Sequence, residues 1–96
     1  MTAGVKINLV GGRGYTGSEL LGLIAAHPDM DLAMASSRSD AGEKISSICD
    51  AWPDDGKSFT QLEPAGVRNH PADAWVLALP NDLAASWVGA IGREFP

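Results

Sequence analysis

The sequence predicts an α/β fold with a doubly wound, mostly parallel sheet, and three observations carry that expectation. A short, apolar, β-branched run, Val5-Lys6-Ile7-Asn8-Leu9-Val10, leads straight into a glycine-rich turn and then a helical stretch over residues 18–26. A second strand-like run over residues 31–36 follows the break at His27-Pro28. A continuous apolar run, Ala74-Trp75-Val76-Leu77-Ala78-Leu79, opens a second strand–turn–helix unit. Uninterrupted apolar strands are what a parallel sheet covered on both faces requires.

The turn after the first strand is Gly11-Gly12-Arg13-Gly14-Tyr15-Thr16-Gly17. Gly12, Gly14 and Gly17 fit G-x-G-x-x-G between a strand and a helix, the context in which this pattern binds a dinucleotide. The first glycine of the pattern allows a tight turn, the second lets a pyrophosphate approach the main chain, and the third lets the helix pack closely on the strand. The unpaired N–H groups and the dipole at the helix start favour a bound anion. The fold is therefore read as Rossmann-like. A glycine-rich connector with no ligand, or with phosphate or another nucleotide, is the competing reading. A plain connector rarely needs three glycines whose backbone entropy is lost on folding.

The helix is expected to begin near Thr16, with Thr16-Gly17-Ser18-Glu19 forming a capping box. A start at Gly14 would instead leave Thr16 facing the ligand. Leu20, Leu21 and Ile24 share a helix face and are expected to cover the sheet. The residue before a proline avoids the α region, so His27-Pro28 ends the helix and leaves His27 beside its last carbonyls, complementing the dipole.

The second strand ends in Ser36-Ser37-Arg38-Ser39-Asp40. In a Rossmann unit this end meets the adenosine ribose, about 20 residues after the glycines. An NAD site would place a carboxylate there for the ribose 2′-hydroxyl. Hydroxyls and a guanidinium suit a 2′-phosphate, so Ser36, Ser37 and Arg38 point to NADP(H), against a merely polar turn with a solvated arginine.

The middle third is less patterned. Residues 42–49 fit a short helix with Ile45, Ile48 and Cys49 inward, Pro53-Asp54-Asp55-Gly56 is a turn, and residues 57–62 alternate weakly as a candidate third strand. Pro64, Gly66 and His70-Pro71 mark loop with little room for a crossover helix, and His70 is read as an exposed loop histidine. After the apolar strand, Leu79, Pro80 and Asn81 form a second turn on the ligand side. Asn81 or Asp82 is expected to cap a helix over residues 83–91, with Leu83, Trp87, Val88 and Ile91 as its apolar face.

The 96 residues suffice for one small domain with a modest core. A net charge of −5 argues against nucleic acid as a partner, since phosphate backbones want clustered Lys and Arg. No apolar run approaches the ~20 residues of a membrane span, and the N-terminal residues do not resemble a signal peptide. The single cysteine, Cys49, gives no disulfide framework and reads as a small buried hydrophobe. No catalytic residue and no metal site are read from this stretch. A cytoplasmic protein is expected.

Taken together, Leu9-Val10-Gly11-Gly12-Arg13-Gly14-Tyr15-Thr16-Gly17-Ser18-Glu19-Leu20-Leu21, His27-Pro28, Ser36-Ser37-Arg38 with Ala41-Gly42, and Leu77-Ala78-Leu79-Pro80 come in the order seen in N-acetyl-gamma-glutamyl-phosphate reductase, which the chain resembles over nearly its whole length. The resemblance is weakest over residues 50–73. It implies an enzyme of arginine biosynthesis that reduces an acyl phosphate with NADPH to N-acetylglutamate semialdehyde, through a cysteine thioester and a histidine acid/base. It also implies cofactor contacts at Gly11, Gly12, Arg13, Gly14, Tyr15, Thr16, Gly17, Ser36, Ser37, Arg38, Leu79, Pro80 and Asn81. Where the family often has histidine after Leu-Pro, this chain has Asn81-Asp82. The family's Asn-Pro-Gly-Cys stretch is not in this sequence, and Cys49 in Ser-Ile-Cys-Asp-Ala does not match it.

Residues 1–96 therefore read as the N-terminal dinucleotide-binding part of a longer enzyme, with the catalytic and substrate domain absent and the sheet incomplete at its C-terminal end. Such a piece is expected to be inactive alone. Its uncovered strand edge invites pairing with another chain, so a homo-oligomer is expected. A stand-alone nucleotide-binding regulatory module, or part of another NADP-dependent semialdehyde dehydrogenase, are the alternatives.

Overall fold

A computed structural model describes residues 4–11, 15–79 and 81–94. The elements in chain order are β1 (Val5–Val10), α1 (Tyr15–Ala26), β2 (Met30–Ser36), α2 (Ile45–Ile48), a 3-10 helix (Pro64–Asn69), β3 (Ala74–Leu77) and α3 (Asn81–Glu94). The three strands form one parallel sheet in the order β2-β1-β3. β1 is central because its side chains can be buried on both sides, and its last four residues are.

Side chains alternate across a strand, and here the two faces feed two cores. Ile7 and Leu9 enter one with Leu21 and Ile24 of α1, Leu32 and Ala35 of β2, and Ile45, Cys49 and Phe59 of the connection. Val10 enters the other with Met34, Leu62, Val67 of the 3-10 helix, and Trp87 and Ala90 of α3. The sheet is thus covered on both faces, the doubly wound arrangement that the sequence implied.

The pairing of β1 with β2 shifts by one residue between Ile7 and Asn8. Ile7 stands beside Leu32, but Asn8 stands beside Met34, and Ala33 between them is exposed. A one-residue slip moves every later side chain to the opposite face. The shift therefore sends Met34 into the α3 core and Ala35 into the α1 core, and brings Ser36 alongside Val10.

Several local expectations are corrected. α1 takes in Tyr15, so Thr16 lies exposed within its first turn and is not the N-cap. α1 does end before His27, but the His27 Nδ1 accepts the Asp29 N–H at 3.1 Å. His27 thereby shapes the turn into β2. Residues 57–62 make no strand. Lys44 and Ser58 form an antiparallel bridge while Ser36 and Thr60 form a parallel one, so the segment follows neither partner long enough for a ladder.

The stretch after Pro64 is ordered as a 3-10 helix, with the Gly66 N–H on the Glu63 carbonyl at 2.8 Å and Val67 fully buried. It stands in for the crossover helix that the sequence had no room for. His70 is half-buried, not exposed, and its carbonyl accepts the Asn8 Nδ2 at 2.6 Å.

α3 runs longer than expected and includes Asn81 and Asp82, so neither caps it from outside. Trp87 and Ala90 face the core, whereas Leu83 is 44% and Val88 60% exposed. Trp87, Ala90 and Ile91 lie three and four residues apart on one stripe; Val88 falls about 100° off it. The four residues of β3 are all half-buried, as befits an edge strand.

Candidate functional site

The carboxyl ends of β1 and β2 and the segment after β3 surround a cavity of about 180 Å³. In open α/β sheets ligands bind outside the carboxyl ends of the strands, where the strand order reverses. β1 has β2 on one side and β3 on the other, so this cavity lies at that point.

Gly11 forms its floor, with φ +85°. A Cβ built on Gly11 would lie 2.6 Å from the Ala78 carbonyl oxygen and 3.0 Å from Leu79 Cδ2. The Gly11 N–H donates to the Ser36 carbonyl at 3.1 Å, and the Ala78 N–H donates to the Val10 carbonyl at 2.9 Å. Glycine is thus required by the neighbouring strand ends themselves. Gly11 has the left-handed backbone of a tight turn; Gly12, Arg13 and Gly14 lie outside the described residues, as does Pro80.

Ser36, Ser37 and Arg38 line one wall. Both serines are buried and Arg38 is exposed. The Ser37 N–H donates to the Thr60 carbonyl at 3.1 Å, which fixes the chain as it leaves β2. The Ser37 Oγ accepts the Asp40 N–H at 3.1 Å, leaving the hydroxyl hydrogen to be directed at a ligand oxygen. A hydroxyl donor and an exposed guanidinium at one strand end are chemically suited to an anionic group.

The opposite wall is Leu79 with Leu83, Ser86 and Trp87 of α3, and the rim is Leu62, Glu63 and Pro64 at the entry to the 3-10 helix. Gly11, Ser36, Ser37, Arg38 and Leu79, all singled out from sequence, are therefore brought together. Thr16 and Gly17 sit in the first turn of α1 and do not line this cavity, Gly17 being buried. Tyr15 opens α1 and Asn81 opens α3.

Sequence reasoning missed the six residues of the α3 wall and the 3-10 rim. Leu83, Ser86 and Trp87 carried a signal, since positions i, i+3 and i+4 share a helix face. The rim carried none, because the bridge that brings residues 62–64 beside β2 is non-local. Cys49 is buried, with its thiol toward the Ser18 carbonyl at 3.7 Å, as expected of a packing residue.

The family described as "Semialdehyde dehydrogenase, NAD binding domain" matches residues 6–94. The chain belongs to this family. The N-acetyl-gamma-glutamyl-phosphate reductase of Xanthomonas euvesicatoria pv. vesicatoria is 42% identical over 90 residues, covering 94% of this chain and 28% of that protein. The enzyme of the same name from Xylella fastidiosa is 40% identical over 95 residues, covering 99% of this chain and 28% of that protein. This semialdehyde dehydrogenase NAD-binding domain thus spans little more than a quarter of the length of those curated relatives. In fold it is similar to aspartate semialdehyde dehydrogenase with NADP from Candida albicans, with TM-score 0.70, 18% identity, and coverage of 93% of this chain and 27% of that one. Among the described residues no helix is long and apolar enough to cross a membrane.

Proposed function

We propose that this chain is the N-terminal NADP(H)-binding domain of an N-acetyl-gamma-glutamyl-phosphate reductase. The observation that carries the reading is the convergence of Gly11, Ser36, Ser37, Arg38 and Leu79 on one cavity at the carboxyl end of the sheet. The cavity is smaller than the ~300–1,000 Å³ of typical ligand clefts, which suits the adenosine end of a dinucleotide. When bound, the cofactor supplies hydride. The chain's own residues do the binding. Gly11 keeps the chain tight against β3, the Ser37 hydroxyl and the Arg38 guanidinium meet the 2′-phosphate, and the apolar wall excludes water from the adenosine. Relatives named for the reductase, at 40–42% identity, favour it over another semialdehyde dehydrogenase.

The same reading assigns an acyl phosphate as substrate of the whole enzyme, a place in arginine biosynthesis, and a cytoplasmic location. Self-association is supported by the exposed Val88 and by the edge position of β3 among the described strands. Cys49 is buried in the α1 core, so the thioester-forming cysteine belongs to a part of the enzyme beyond this chain.

Calorimetric titration of the chain with NADPH and NADH tests the cofactor. Tighter NADPH binding is expected, and equal affinities would sink the phosphate assignment. In the reverse assay, with semialdehyde, phosphate and NADP, the chain alone is expected to show no turnover. Turnover abolished by Cys49→Ser would overturn the assignment of Cys49 to packing.

A further inference from the structure

We propose that Glu63 is a specificity-determining residue of the cavity, a negative charge set against Arg38 that holds down the preference for a 2′-phosphorylated cofactor. The inference rests on the proposed cofactor site and adds a determinant that the β2 end does not contain. Ser36 bridges Thr60 in parallel, so the two segments leave the bridge side by side. Arg38 follows Ser36 by two residues and Glu63 follows Thr60 by three, and both residues line the one cavity.

The Glu63 carboxylate is not consumed by its own helix. Glu63 is the N-cap of the 3-10 helix, and N-cap side chains commonly accept from the N–H groups that follow. Its side chain makes no such bond. The backbone instead closes the turn, with the Glu63 carbonyl accepting the Gly66 N–H at 2.8 Å. The residue is exposed and lines the cavity.

A 2′-phosphate brought to Ser37 and Arg38 enters the field of both charges. Arg38 attracts it and Glu63 repels it. The ribose of NADH carries no charge there and feels neither strongly. Removing the Glu63 charge therefore acts on one cofactor and spares the other, which a purely structural role would not do.

The test is calorimetric titration of the full chain, wild type and Glu63→Gln, with NADPH, NADH and 2′,5′-ADP at low and high salt. Glu63→Gln is expected to tighten NADPH and 2′,5′-ADP by about two- to tenfold, the range for one like-charge interaction in a partly solvated site. NADH should change less than twofold, and the NADPH gain should shrink as salt screens it. Glu63→Lys should give a larger gain of the same selectivity. If NADPH and NADH bind the wild type but Glu63→Gln leaves both unchanged, or loosens both alike, this inference falls and the proposed site stands. If neither cofactor binds the wild type, the proposed site falls and takes this inference with it.

Discussion

Gly11 and Ala78 meet so closely at the ends of β1 and β3 that a side chain on Gly11 would lie 2.6 Å from the Ala78 carbonyl oxygen. Gly11→Ala is therefore expected to be severely destabilising. A left-handed backbone costs an L-residue about 1–2 kcal/mol, and overpacking against fixed backbone about 1–3 kcal/mol more. Urea unfolding should show a loss of about 2–5 kcal/mol. A loss below about 1 kcal/mol would mean that the two strand ends can separate without cost.

Cofactor choice should be reversible at the β2 end. A charged hydrogen bond contributes about 1.5–3 kcal/mol net, so an engaged Arg38 gives NADPH a preference of roughly ten- to a hundredfold. Ser37→Asp together with Arg38→Ala should remove most of it, since the new carboxylate repels the phosphate and accepts from a ribose hydroxyl. Parallel titrations of the double variant with both cofactors read this directly; an undiminished preference would place the discrimination elsewhere.

Asn8 is buried in the centre of β1, and its Nδ2 donates to the His70 carbonyl, while its Oδ1 meets no partner among the described residues. The bond ties the exit of the 3-10 helix to the sheet. Asn8→Ala should cost about 1–3 kcal/mol in urea unfolding, because it leaves a carbonyl without its donor. Asn8→Asp should cost more at neutral pH, where a carboxylate faces that carbonyl, and recover on acidification as the protonated carboxyl regains a donor. A variant as stable as wild type at all pH values would remove Asn8 from this role.

The Asp55 carboxyl gives a small acid-sensitive contribution. Partial loss of hydration pushes its pKa up, but the Lys57 N–H, the Trp52 indole N–H at 3.1 Å and the Lys57 charge pull it further down, below its ordinary 3.8. A carboxyl lowered in the folded state adds stability that is present above the unfolded value and is lost as pH falls through the folded one. Asp55→Asn should therefore flatten the stability profile below about pH 4 and leave its neutral-pH slope unchanged. The effect should stay below about 1 kcal/mol because the group is exposed. An unaltered acid limb would show that the turn makes no such contribution.

The parts legible in the sequence were those written in local signals. The β1 run, the glycines, the proline break after Ala26 and the serines and arginine at the β2 end each announce themselves within a few residues, and Gly11, Ser36, Ser37 and Arg38 do converge. The unread parts depend on partners far along the chain. Leu62 to Pro64 reach the cavity through the Ser36–Thr60 bridge, which no periodicity reveals. The 3-10 helix has too few residues for a helical stripe, and Pro64 and Gly66 look like loop by composition. The exposure of Leu83, which shares the face of Trp87, could not be read from helical spacing, since it depends on how much surface packs against α3.

The extra residue in β2 sets the phase of everything downstream of it. Counting from Leu32, a strictly alternating strand would put Met34 and Ser36 on the α1 side; the step at Ala33 puts them on the other. An engineer who transplants a strand end from a homologue to change the cofactor must therefore align it on Met34, not on Leu32. A graft one residue out of step would deliver the right hydroxyl and guanidinium to the wrong side of the sheet, with Met34 turned into a core already filled.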